Sequence, residues 1–114
     1  MIKLEFDKKS EIVYELLELL KKEKLNETQK DKMRNIVNGL TNRTDKQKER
    51  FLRFYNLLED ENKNYRLCDL ALIYNCNPAG VRFSISRIRN NLINSNEENI
   101  TIMKDILEEY HNKN

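Results

Sequence analysis

The chain has two glycines, one proline and two cysteines, and each scarcity removes a class of structure. So few breakers leave little to punctuate short strands and hairpins, so long periodic segments must be helices. Cys68 and Cys76 cannot build a disulfide framework, and they lack the paired spacing of a zinc site. No apolar run approaches the ~18–20 residues that span a bilayer. The first residues, Met1–Asp7, are too charged for the apolar region of a signal peptide. A soluble cytoplasmic protein with reduced thiols and no membrane contact is the expectation.

Catalytic groups are scarce as well. His111 is the single histidine and sits near the end of the sequence. There is no glycine-rich phosphate loop and no glycine-flanked serine, and the carboxylates fall on solvent-facing positions of amphipathic segments. The chain is expected to be no enzyme and to need no cofactor or metal.

What is present is helical periodicity. Ser10 is the expected N-cap of a first helix over 11–24, with Ile12, Val13, Leu16, Leu17 and Leu20 inward. A second helix over 27–39 carries Met33, Ile36 and Val37, with Gly39 as its stop. Thr44 or Asp45 caps a third over 45–59, with Phe51, Leu52, Tyr55 and Leu58 inward. Residues 60–64 are polar and read as a loop. A short fourth helix over 67–74 turns Leu67, Leu70, Ala71 and Ile73 or Tyr74 inward.

Asn75-Cys76-Asn77-Pro78 then reads as a tight inter-helix turn. Asn75 tolerates a left-handed backbone, Asn77 suits an N-cap, and Pro78 suits a first helical position. A fifth helix over 78–93 follows, with a stripe of Val81, Ile85, Ile88 and Leu92, which fall within about 60° of one another at 100° per residue. A sixth, acidic helix over 97–110 carries Ile100, Met103, Ile106, Leu107 and Tyr110. The fold expected is all-α, a small bundle of about six helices without a β wing.

Net charge is only +2, but its distribution is uneven. Residues 25–50 hold seven basic against four acidic side chains, and residues 97–114 two against five. Residues 70–96 contain Arg82, Arg87 and Arg89 and no acid. Opposite the aliphatic stripe of the fifth helix lie Ala79, Phe83, Ser86 and Asn90, flanked by Arg82 and Arg87. A small, polar, aromatic and cationic face suits a DNA major groove. Arginine pairs with guanine, asparagine with adenine, and an apolar group meets the thymine methyl.

The stretch Tyr65–Leu92, YRLCDLALIYNCNPAGVRFSISRIRNNL, resembles the helix-turn-helix of region 4 in bacterial sigma factors, chiefly the extracytoplasmic-function type. The recognition helix there is of the V-K-S-R-L-S-R-A-R-K-x-L type, matched by the Ser86-Arg87-x-Arg89 run and the four core positions. The preceding Leu40–Leu57, LTNRTDKQKERFLRFYNL, resembles the helix before that motif, and together the two stretches cover about half the chain. The resemblance implies a tetrahelical helix-turn-helix binding double-stranded DNA around the −35 promoter element, in contact with RNA polymerase. It places base contacts at Asn77, Ala79, Gly80, Arg82 and Phe83, and puts Arg87 and Arg89 toward the DNA backbone or neighbouring helices.

Two departures stand out. The usual turn glycine is Asn75, and the first 40 residues are too few for the sigma region that melts the −10 element. A sigma-like regulator is therefore expected rather than a complete sigma factor. The implied division is an N-terminal helical extension over 1–40, the DNA-binding unit over 41–93 and the acidic helix over 94–114. The extension or the acidic helix would serve a dimer or polymerase contact, and the sequence does not choose between monomer and homodimer. The alternatives are a recombination accessory or directionality factor of a mobile element, and a helical interaction or anti-regulator module that never touches DNA.

Overall fold

The structure, a computed structural model, describes residues 6–58 and 64–113, without the side chain of Phe6. Within them lie six α-helices and no strand: α1 (Phe6–Lys21), α2 (Glu27–Asn38), α3 (Asp45–Phe54), α4 (Leu67–Ile73), α5 (Pro78–Ile93) and α6 (Glu97–Lys113). The polar loop expected over 60–64 lies outside the described residues except for Asn64.

The starts of α2, α3 and α5 follow from side-chain capping. Asn26 and Thr44 each accept from the backbone N–H three residues on, while Gln29 and Gln47 return the bond to the cap. Asn77 accepts from Gly80 N at 2.9 Å, with Pro78 at the first position. Ser10, the expected N-cap of the first helix, lies inside α1 instead, because the helix begins a turn earlier with Asp7 in its dipole-favoured first turn.

Helix ends correct the sequence reading further. α1, α3 and α4 each close with a non-glycine residue in the left-handed region: Glu23 (φ 54°), Asn56 (φ 60°) and Asn75 (φ 51°). Just past each, a backbone N–H reaches five residues back: Lys24 to Leu19 O (2.9 Å), Leu57 to Leu52 O (2.8 Å) and Cys76 to Ala71 O (3.0 Å). Asn56 thus ends α3 at Phe54, short of the expected residue 59. Gly39 does follow α2, but its φ of −81° is ordinary right-handed backbone.

Every helix feeds one continuous core. α5 sits at its centre and packs on α3, α4, α1 and α6, while α6 also lies on α1 and α2. Val81, Ile85, Ile88 and Leu92 are all buried, joined from α5 by Ser84 and Ile93. Of the alternatives at the end of α4, Tyr74 packs inward and Ile73 is half exposed (48%). Leu72 is 83% exposed, and the Cys76 thiol is half-buried.

Candidate nucleic-acid interface

α4 and α5 are joined by the four-residue turn 74–77, and α3 lies across both. Arg43, just ahead of α3, donates to Asn91 Oδ1 near the end of α5 (3.0 Å), whereas Arg50 donates to Ser84 Oγ in its middle (3.1 Å). α3 therefore runs antiparallel to α5. At its far end Arg53 Nε donates to Tyr74 Oη (3.1 Å), and that hydroxyl donates to Glu49 Oε1 (2.7 Å), which also accepts from Arg53 Nη2 (3.1 Å). This triangle pins the end of α4 to α3 and so aims the turn. The Tyr74 hydroxyl and the Arg53 guanidinium hold the Glu49 carboxyl below its usual range, while burial pushes Tyr74 up.

The sequence-predicted residues separate into three groups on α5. Ala79, Arg82, Phe83, Arg87 and Asn90 are exposed on the side away from the core. Phe83 is 58% exposed, with the Arg87 guanidinium stacked 4.4 Å from its ring centroid. Asn77 and Gly80 form the second group. The Asn77 side chain is engaged in capping, and the Gly80 carbonyl accepts from Ser84 Oγ at 3.2 Å. Ser86 and Arg89 form the third. Both are half-buried, with Arg89 Nη2 donating to Ser86 Oγ (3.2 Å) and its guanidinium 4.9 Å from the Tyr14 ring. Burial pushes the Tyr55 hydroxyl up, and Arg89 beside it opposes that shift.

The arginines of the chain divide in a way the sequence did not disclose. Arg34 and Arg53 each pair with a carboxylate of their own helix, and Arg66, the N-cap residue of α4, pairs with Asp69 in its first turn. Among the described residues, Arg43, Arg50, Arg82, Arg87 and Arg89 have no carboxylate partner; Arg82 is exposed, and the other four meet carbonyls, amides, hydroxyls and rings. All five stand on α5 or are packed against it. Arg43 and Arg50 escaped the sequence reading because only the interhelical contact brings them there. The basic excess over residues 25–50 was their one visible trace.

Viewed down α5 at 100° per residue, Phe83 and Asn90 mark the outward direction. Arg82 and Arg89 then lie about 100° to one side, and Ser84 and Asn91, where Arg50 and Arg43 attach, about 100° to the other. The outward strip is neutral save for Arg87 at its edge, and cations line both flanks. Among the described residues, no group of three His, Cys, Asp or Glu side chains is placed to hold a metal ion, and no helix is long and apolar enough to cross a membrane. Compared with known protein families, curated proteins and solved structures, the chain has no match.

Proposed function

We propose that the chain binds double-stranded DNA sequence-specifically, with α5 in the major groove. The observation that carries the reading is the segregation of the arginines. Every described guanidinium without a carboxylate partner belongs to α5 or its flanks. An ion-paired surface arginine spends much of its field on its partner, whereas these keep theirs for an external anion.

The geometry suits a duplex. A helix with its side chains is about 10–12 Å across and enters a major groove about 12 Å wide. The groove walls are phosphate rails, which would meet Arg82 and Arg89 on one flank and Arg43 and Arg50 on the other. Base edges would meet Ala79, Phe83, Arg87 and Asn90 along the outward strip. Arg82, near the start of the helix, stands where a recognition helix reaches base or phosphate. The resemblance to sigma region 4 makes regulation of transcription the process served.

Selection from a random duplex pool, followed by mobility-shift titration, tests this. Replacing Arg82 and Arg87 together by alanine should weaken binding to the selected site by roughly a hundredfold, since it removes a phosphate contact at Arg82 and a base contact at Arg87 worth about 1–3 kcal/mol. Helical circular dichroism should not change, because both side chains are exposed. Four flank contacts predict a slope of log affinity against log salt of about −3 to −4. Undiminished affinity in the double variant, or binding indifferent to salt, would exclude this use of α5.

A further inference from the structure

The flank of α5 that carries Arg82 and Arg89 is hollowed into a cleft of about 270 Å³, lined by Phe54, Tyr55, Leu67, Arg82, Ile85, Ser86 and Arg89. It differs from a larger cleft in what stands around its cations. The larger one beside α2, about 350 Å³, has Lys24 and Lys113 on its rim. Glu109 stands beside it, accepting from Gln29 (3.1 Å) and pairing with Lys113 (3.6 Å), so its cations are partly neutralised. The α5 cleft has no such neighbour: no carboxylate lines it, and among the described residues neither Arg82 nor Arg89 pairs with one.

The polar groups of the cleft come from one side. Positions 82, 86 and 89 follow one another along a single helix face, so two guanidiniums and a hydroxyl converge on the same space. Arg89 is already fixed by the Tyr14 ring and Ser86, and its Nε is covered without an acceptor. The opposite wall is apolar: the Phe54 and Tyr55 rings, in edge contact at 5.0 Å, together with Leu67. Behind the Phe54 ring stands another cation, the Lys21 ammonium, 3.9 Å from the centroid and donating to the carbonyls of Phe54 and Tyr65. Apolar walls with a few convergent polar groups are the make-up of a small-molecule site.

We infer that this cleft binds a small aromatic carboxylate, its ring against Phe54, Tyr55 and Leu67 and its charge on Arg82, Ser86 and Arg89. A bare inorganic anion would leave the apolar wall uncovered, and a neutral ring would leave the guanidiniums without a counter-charge. Guanidinium meets carboxylate in a planar, two-point fit. The volume accommodates a single ring and its acid group. Arg82 borders both the cleft and the outward strip, so a ligand that engages it withdraws it from DNA. Occupancy therefore lowers DNA affinity, and this regulatory half rests on the function proposed above, whereas the ligand site does not.

The test is a nitrogen- and carbon-resolved NMR titration of the full chain with benzoate, benzamide and inorganic phosphate, without DNA. Benzoate should move the ring signals of Phe54 and Tyr55 and the side-chain signals of Arg82 and Arg89. Benzamide and phosphate should each bind at least about tenfold more weakly. Arg82→Gln, exposed and safe for the fold, should weaken benzoate by about tenfold, and so should Arg89→Gln, whose folding is checked by its unfolding midpoint. Saturating benzoate should then weaken the selected duplex severalfold. Equal binding of benzoate and benzamide, equal binding of phosphate, or shifts lying away from the cleft would overturn the proposal. Benzoate in the cleft of a protein that binds no DNA would keep the ligand site and remove the DNA reading. Intact DNA binding with no benzoate effect would do the reverse.

Discussion

Asparagine does in this chain what glycine does in most. Among the described residues the left-handed positions are Glu23, Asn56, Asn64 and Asn75, and neither glycine has positive φ. Asn56 and Asn75 share a backbone conformation but differ in what their side chains do. Asn75 is exposed and has no side-chain partner among the described contacts, so Asn75→Gly should leave stability unchanged or slightly improved. Asn75→Val should cost about 1–2 kcal/mol, the penalty for a β-branched residue held left-handed. Asn56 is buried; its Nδ2 donates to Leu20 O (3.2 Å) and Asn64 Oδ1 (3.1 Å), and its Oδ1 accepts from Asn64 N (2.8 Å). Asn56→Gly keeps the turn yet strands those groups, at a cost of about 2–3 kcal/mol. Urea unfolding midpoints of the three variants check the contrast. Only Asn75 was legible beforehand, because Asn77 and Pro78 punctuate the chain after it. Asn56 sits among Phe54, Tyr55, Leu57 and Leu58, where an apolar rhythm runs on past the helix end.

At the scale of elements, α5 was the most legible and α3 the least. α5 carries its own cap, its own proline and an uninterrupted aliphatic stripe, so local rules delimit it at 78–93. The burial of Ser84 was not readable, because it depends on Arg50 arriving from α3 and on Ser84 bonding back to the Gly80 carbonyl. The lock between α3 and α4 has a pH signature. Glu49 has a folded pKa below its ordinary value of 4.5, so its contribution is complete above that value and is lost as pH falls through the lower folded one. Glu49→Gln should therefore lower the melting temperature at neutral pH by a few degrees. The gap from the parent should close as the solution is acidified below about pH 4. A gap that stays constant with pH would show that the carboxylate charge does not hold α4.

For the molecule as a whole, the core decides how independent the parts are. α6 buries Ile100, Met103, Ile106 and Leu107 in the same cluster as Ile88 and Leu92 of α5 and Leu16 and Leu20 of α1. Ending the chain after Asn94 would uncover that cluster, at about 1.5–3 kcal/mol for each large side chain lost. The shortened protein should lose its cooperative thermal transition, monitored by circular dichroism, rather than retain a folded helix-turn-helix. Ile88→Ala, a milder cut at the centre, should cost about 2–5 kcal/mol and still unfold in one step. The helix count and the all-α class were readable because breakers are few and periodicity is strong. How the helices pool their cations was not, since it depends on which faces meet across long stretches of chain.

That pooling has a chromatographic consequence. A protein of formal charge +2 leaves a cation exchanger early when its charges are evenly mixed. Here the unneutralised guanidiniums are gathered about one helix, and the acids of 97–114 lie on another. A sulfated matrix such as heparin would meet the basic region face-on and grip the chain more firmly than its isoelectric point foretells.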